Sequence, residues 1–306
     1  MKKSHAENTV GPWAAEKLQA LEDYLNFYTT ALKNKTYWKK IYIDAFAGAG
    51  KSVIRQQNGE KLALSDLFGV DVSPEKREFL AGSPNRALSI KTPFDEYYFF
   101  DADPVRADQL QNLEQEYPSA NINVRVGDAN KEIETLIGSL NPKKFRAVAF
   151  LDPYGPHLKW STLEHLAKTN SVEVIINFPL GMAINRLIKK SGENPENWKT
   201  SLDDCFGTNE WQNLSYEEQP DLFGSTRQTK KDNASEILLG LYCDRLKSIF
   251  GNVAKPRLIK NTLGNPLYYL IWAGPHSLGL KGADHILKSG EEVEAQRAYK
   301  KSINRP

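Results

Sequence analysis

The chain has 306 residues, 25% of them charged, the composition of a globular protein with a sizeable core. Forty Lys and Arg against 38 Asp and Glu leave a formal charge of +2, which neither demands nor excludes a nucleic-acid partner, because local patches matter more than the sum. Cys205 and Cys243 are the only cysteines, which excludes a disulfide framework and a cysteine-rich metal site and points to a reducing, cytoplasmic setting. No apolar run reaches the roughly 18 residues of a membrane span, and the basic start Met1-Lys2-Lys3 has no apolar run behind it, unlike a signal peptide.

The first element is a helix over 11–33. Gly11-Pro12 opens it, and Trp13, Leu18, Leu21, Leu25 and Tyr28 recur at helical spacing as a packing stripe. Ile41-Tyr42-Ile43-Asp44 then reads as a buried strand running into Ala45-Phe46-Ala47-Gly48-Ala49-Gly50. The glycines permit positive φ and close backbone approach. Ligands of wound α/β folds bind over such turns, at the carboxyl ends of strands.

Two motifs overlap at this turn. Asp44, Phe46, Gly48 and Gly50 make Asp-x-Phe-x-Gly-x-Gly, which resembles the first motif of S-adenosylmethionine (SAM) methyltransferases. Ala45-x-x-x-x-Gly50-Lys51-Ser52 meets the loose form of a phosphate-binding P-loop. A glycine turn that binds nothing is the third reading. Residues 51–81 look irregular, an inserted loop over the site. Asn58-Gly59 breaks any helix soon after Lys51-Ser52, which weighs against the P-loop, whose lysine normally begins a sustained helix.

Gly82-Ser83-Pro84 reads as a helix start, with Ser83 as cap and Pro84 at the first position. The second strand, Tyr97–Phe100, ends in Asp101, an acid placed to accept ribose hydroxyls or to cap the helix over 104–117. The third strand, Ile122–Val126, ends in Gly127-Asp128. Asp128 can accept an adenine amino group or cap the helix over 130–139. The fourth, Ala147–Leu151, is a continuous apolar run, as a buried parallel strand should be. It ends in Asp152-Pro153-Tyr154-Gly155: a carboxylate for an amino donor, a rigid turn and a ring able to stack on a base.

A helix over 160–169 follows, with Ser161 as cap, and then a fifth strand, Val172–Asn177. Residues 180–232 form a polar, helical insertion with Trp198, Trp211, Arg186, Lys189, Lys190, Arg227, Lys230 and Lys231. These residues line a nucleic-acid groove or a plain solvated surface. An amphipathic helix over 234–249, a hairpin of Val253–Ile259 and Leu267–Trp272, a short helix near Ala283–Leu287 and a charged tail complete the chain. This order makes a doubly wound α/β sheet.

The motifs Asp44–Gly50, Gly82–Leu88, Phe150–Gly155 and Tyr268–Leu280, with the N-terminal Trp13-x-x-x-Lys17-Leu18, resemble the three-Cys-motif partner family over nearly the whole chain. That family is similar in turn to the bacterial ribosomal-RNA adenine-N6 methyltransferases. The aromatic of Asp152-Pro153-Tyr154 comes one place earlier than in their Asp-Pro-Pro-Tyr pattern. The resemblance implies a single methyltransferase-like domain over 1–306 with a Rossmann-like SAM-methyltransferase fold. Its sheet would be seven-stranded and mostly parallel, with a C-terminal antiparallel hairpin beside the fifth strand. The 180–232 insertion would be a substrate-binding subdomain.

The same resemblance implies SAM as cofactor, with Asp44, Phe46, Gly48 and Gly50 around it, Ser83 at its methionine end, Asp101 on the ribose and Asp128 on the adenine. Asp152, Pro153 and Tyr154 would form the acceptor site for an exocyclic amine, adenine N6 before others. The implied partners are RNA or DNA as substrate and a three-cysteine-motif protein. Two other readings stand beside it: a non-catalytic SAM- or partner-binding module, and a P-loop nucleotide hydrolase using Lys51, Ser52 and Asp152.

Overall fold

The computed structural model describes residues 8–10, 13–49, 51–54, 78–220, 226–261 and 263–303. Gly50, the Gly11-Pro12 helix start and the Asn58-Gly59 break lie outside them. The chain begins with β1 (Asn8–Val10), α1 (Trp13–Ala31) and β2 (Lys39–Asp44), followed by β3 (Lys51–Ile54), β4 (Glu78–Ala81) and α2 (Ser83–Leu88). Next come β5 (Glu96–Asp101), α3 (Pro104–Gln111), α4 (Leu113–Glu116), β6 (Ile122–Val126), α5 (Ala129–Ser139), β7 (Phe145–Leu151), α6 (Trp160–Lys168) and β8 (Val172–Phe178).

A π-helical turn, Leu180–Ile184, leads into α7 (Asn185–Leu187), α8 (Glu196–Phe206), α9 (Glu210–Ser215) and a ribbon of β9 (Tyr216–Pro220) and β10 (Thr226–Lys230). The last elements are α10 (Ala234–Phe250), β11 (Asn252–Val253), β12 (Arg257–Lys260), β13 (Pro266–Gly274) and α11 (Ser277–Ile303).

The central sheet has the order β11-β13-β8-β7-β2-β5-β6, with β12 also pairing β13. Strands β6, β5, β2, β7 and β8 are parallel, and β13 runs antiparallel to β8. This is the Rossmann-like sheet with a C-terminal antiparallel hairpin that the resemblance implies. It has eight strands rather than seven. Pro256 has no N–H for the ladder, so the first arm of the hairpin is split into β11 and β12.

Alternation along the strands builds two cores, one on each face. Ile41, Ile43, Ala147, Ala149 and Leu151 face α5, α6 and α10. Tyr42, Val148, Phe150, Tyr97 and Phe99 face α1, α2, α3 and α11. Burial of each large apolar side chain is worth about 1.5–3 kcal/mol. These cores therefore hold the sheet rigid and fix its polar carboxyl edge.

Several expectations change in detail. Residues 51–81 are not irregular throughout: β3 and β4 pair antiparallel, and β1 joins β3 in parallel. Ser83 is the first residue of α2 and Gly82 its N-cap. The N-cap of α6 is Lys159 rather than Ser161. The expected short helix near Ala283 is 27 residues long.

Candidate active site at the carboxyl edge of the sheet

Four neighbouring strands bring polar ends to one edge. β2 ends in Asp44, β5 in Asp101, β7 is followed by Asp152, and β8 contributes Asn177 one residue before its end. The chain leaves β2 toward β5 on one side and later returns to β7 on the other. The edge beside β2 is therefore the switch point where wound sheets open a crevice.

Asp44 is fully buried and accepts a hydrogen bond from Tyr42 Oη at 3.2 Å. Burial pushes its pKa up to about 7, the nearby Asp152 charge adds to this, and Ser83, Tyr42 and the Phe46 amide pull the other way. Asp44 Oδ1 has no partner of good hydrogen-bond geometry among the described residues. Such an oxygen is costly unless a ligand completes it. Ser83 is 8% exposed at the start of α2, where it faces Asp44.

The turn after β2 is fixed from both sides. Ala45 N–H donates to the Phe150 carbonyl and Ala47 N–H to the Phe100 carbonyl. Phe46 packs half-buried against the core. Gly48 adopts φ 64°, a conformation that glycine takes without strain. Its N–H donates to Asp101 Oδ2 at 3.0 Å, while Asp101 Oδ1 accepts from Asp103 N–H at 2.8 Å. Asp101 thus ties the glycine turn to the end of β5. Arg106 reaches to 3.9 Å from Asp101 and 3.6 Å from Asp103.

Asp152 is held on both oxygens. Lys17 Nζ donates to Oδ2 at 2.5 Å, and Asn177 Nδ2 donates to Oδ1 at 2.5 Å. Lys17 also sits 5.4 Å from the Tyr268 ring centroid. A carboxylate only accepts, so the Asn177 amide nitrogen must face it, which leaves Asn177 Oδ1 buried and without a partner among the described residues. Asp152 is the acceptor presented at this edge, and Asn177 helps to hold it in place. Tyr154 stands beside them, 62% exposed, as an open ring face.

The structure thus gathers Asp44, Phe46, Gly48, Ser83, Asp101, Asp152, Pro153 and Tyr154 along one edge. Gly50 lies outside the described residues. Asp128 follows the outermost parallel strand, β6, and caps α5, accepting from Lys131 N–H at 3.2 Å. Sequence reasoning assigned no site role to Lys17, Asn177 or Arg106. Asn177 carried a usable signal, because it ends an apolar strand as Asp44 and Asp101 do. Lys17 carried a weaker one, as a cation within an apolar helical stripe.

The P-loop expectation fails on geometry. Lys51 begins β3 instead of a helix, so no helix N-terminus is presented to a phosphate there. The insertion also differs from expectation. Trp211 is fully buried. Lys230 Nζ binds Asn185 Oδ1 and the carbonyls of Asn185 and Ile188, and Lys231 Nζ binds the Leu214 carbonyl. These residues clamp the insertion internally and do not line a groove. Residues 180–232 hold nine acids against seven bases, so the insertion as a whole carries no excess of positive charge.

The residues present fit SAM in kind: an orphaned buried carboxylate oxygen on β2, a glycine turn, and acids at the ends of β5 and β6. No cluster of three or more candidate metal ligands exists among the described residues. None of their helices is long and apolar enough to cross a membrane.

The chain matches no family model and no curated protein. Similar solved structures include protein LPL1258 from Legionella pneumophila str. Philadelphia 1, at 13% identity and TM-score 0.38, covering 88% of this chain and 98% of that one. The bifunctional kinase-methyltransferase WbdD matches at 14% identity and TM-score 0.37, over 84% of this chain and 39% of WbdD. The N-terminal domain of EvdMO1, crystallised with SAH and D-fucose, matches at 8% identity and TM-score 0.36, over 83% of each chain. At these scores none of them assigns a role to a residue of this chain.

Proposed function

We propose that the protein is a SAM-dependent methyltransferase acting on an exocyclic amine of a nucleic-acid base, adenine N6 before others. The observation that carries this reading is the pairing of Asp152 with Asn177 beside the buried Asp44 and the Gly48 turn. A carboxylate held in place by Asn177, with the Pro153 carbonyl next to it, would suit the two N–H groups of an amine.

Bound SAM would supply an electrophilic methyl group. Asp44, Phe46, Gly48, Ser83 and Asp101 would hold it, with Gly50 continuing the turn and Asp128 at the adenine. An exocyclic amine is a weak nucleophile because its lone pair is delocalised into the ring. Hydrogen bonds from its two N–H groups to the Asp152 carboxylate and the Pro153 carbonyl would draw the nitrogen toward sp³ and free that pair for the methyl carbon; as the N–C bond forms the S–C bond breaks, the demethylated cofactor leaves, and the surplus proton passes from nitrogen to solvent. Acceptors fixed before the reaction also favour the positive charge that develops on nitrogen. Lys17 and Asn177 fix Asp152, so the alignment that dominates such displacements is set before the acceptor arrives. Tyr154 offers its open face to the base once it is out of a stack.

The test is calorimetry with SAM and with Mg-ATP, followed by transfer of labelled methyl from SAM to RNA and DNA. SAM should bind and Mg-ATP should not. SAM should bind more tightly above about pH 7, where Asp44 loses its proton and favours the cationic cofactor. Asp152→Ala should keep SAM affinity within about threefold while losing at least about 100-fold in transfer. Binding of Mg-ATP that is abolished by Lys51→Ala would restore the hydrolase reading. SAM binding without transfer to any nucleic acid would favour a non-catalytic module working with a three-cysteine protein. One observation leans toward that module: both oxygens of Asp152 already have protein partners.

A further inference from the structure

The end of the sheet opposite the candidate active site carries a surface with its own chemistry. The turn from α1 into β2 supplies Lys33, Lys35, Lys39 and Lys40, and the turn into β7 supplies Lys143, Lys144 and Arg146. β2 and β7 are neighbours, with Lys39 opposite Phe145 and Lys40 opposite Arg146. Lys39 N–H also donates to the Lys144 carbonyl at 2.9 Å. Seven cations therefore gather in two adjoining turns and the first residues of the strands that follow them.

Two acids at the start of β5 answer part of this charge. Lys39 pairs with Glu96 at 2.7 Å and Lys40 lies 3.7 Å from Asp95. Lys33, Lys35, Lys143 and Lys144 are exposed and have no acidic partner among the described residues. Like charges on adjoining segments repel one another, and an anionic ligand relieves the repulsion.

Aromatic rings are interleaved with the charge. The Arg146 guanidinium lies 3.8 Å from the Trp38 ring centroid, and the Tyr37 ring lies 4.5 Å from the Trp38 ring. Arg146 is pinned by the Phe145 carbonyl at 2.8 Å and Ser171 Oγ at 3.2 Å. The guanidinium thus fixes the Trp38 ring, and the Tyr37 ring is tilted 55° against it. Tyr37, the outer of the two rings, is 62% exposed.

We propose that this surface is an anchoring site for single-stranded nucleic acid, with Lys33, Lys35, Lys143 and Lys144 on phosphates and Tyr37 as a stacking platform for one base. Clustered cations alone suit any polyanion. A flat exposed ring beside them suits a polyanion that carries bases. β2 has six residues, so the anchor lies about 20 Å from the candidate active site at roughly 3.3 Å per residue. The nucleic-acid contact expected of the 180–232 insertion moves to this face. Phosphate contacts there set position and leave base choice to the far edge of the sheet. The proposal deepens the reading of the acceptor as a nucleic acid and rests on that reading for its purpose.

The experiment is fluorescence anisotropy of the whole protein, without cofactor, against a labelled 20-nucleotide RNA and the DNA of the same sequence, over a series of salt concentrations. Lys33→Ala/Lys35→Ala/Lys143→Ala/Lys144→Ala should weaken binding at least about tenfold and reduce the salt slope by about 3, at roughly 0.7 per phosphate contact on a single strand. Tyr37→Ala should weaken binding about fivefold or more with the salt slope unchanged. Arg186→Ala/Lys189→Ala/Arg227→Ala, in the insertion, should change affinity less than about twofold. All of these are exposed positions, and an unchanged melting temperature confirms that folding is intact. The proposal is overturned if neither strand binds, if the four-lysine variant binds as well as wild type, or if the insertion variant is the one that loses affinity. Binding of polyglutamate through the four lysines, with neither strand bound, overturns it in favour of an acidic protein. Binding through this face without any methyl transfer leaves the anchor standing and removes the catalytic reading instead.

Discussion

Glu173 shows how one buried residue sets a pH response. It is 4% exposed in β8 and accepts a hydrogen bond from Tyr24 Oη at 2.5 Å. Burial pushes its pKa up to about 7, against the opposing pull of Tyr24 and Arg146. The folded chain therefore holds this proton more tightly than the unfolded chain does. Stability falls as pH rises from the ordinary carboxylate range, near 4.5, to about 7, and the full penalty remains above that. The shift corresponds to roughly 3 kcal/mol. Glu173→Gln should raise stability at pH 8 by roughly 1–3 kcal/mol and leave it nearly unchanged at pH 4. Urea denaturation at the two pH values measures both, and an equal effect at both would assign the stabilisation to packing. At this scale the acids that end strands were legible: Asp44, Asp101 and Asp152 all stand at the carboxyl edge. Lys17 and Asn177 were not assigned. Their importance lies in contacts across 135 and 25 residues of chain, which no local pattern records.

Among the elements, α8 depends on how it ends. Gly207 has φ 66°, and its N–H donates to the Asp203 carbonyl at 2.7 Å, closing the helix in a left-handed turn. A Cβ added there would collide with the Trp160 ring, and Trp160 is itself stacked under Arg245 at 4.6 Å. Gly207→Ala should therefore cost roughly 2–4 kcal/mol, joining left-handed strain to overpacking. Chemical denaturation reads this directly, and a loss below about 1 kcal/mol would mean that Trp160 yields easily. The parallel strands were legible because each is an apolar run closed by a polar or glycine turn. Helix starts were less so. Ser83 and Ser161 both resemble caps, yet Gly82 and Lys159 take those positions, because the turn before each helix sets where the first helical residue falls. The length of α11 was missed as well. Gly282 interrupts its pattern because it sits against Phe27 of α1, so the residue serves close helix packing and does not end a helix.

Across the whole molecule, the 180–232 insertion is built into the main core. Leu202, Cys205, Phe206 and Trp211 are buried in the same cluster as Phe178 of β8 and Tyr242 of α10. Phe206 lies 6.0 Å from Phe178 and 5.9 Å from Tyr242, edge-on to both. Replacing 185–230 by a short Gly-Ser linker should abolish the cooperative thermal transition. The loss of several aromatic contacts, at about 3–5 kcal/mol each, matches a whole domain's stability of about 5–15 kcal/mol. A sharp melt in the excised chain would make the insertion a separable subdomain. By itself the amino-acid sequence determined the wound α/β plan, the glycine turn and the strand-end acids, because alternation, apolar runs and turn residues act over a few neighbours at a time. Only the tertiary structure decided that Lys17 and Asn177 hold Asp152, that Lys51 begins a strand, that Lys230 and Lys231 clamp the insertion, and that two distant basic turns form one surface. Those outcomes depend on which strands become neighbours. Burial of both faces of the whole sheet chooses that, and no segment carries it alone.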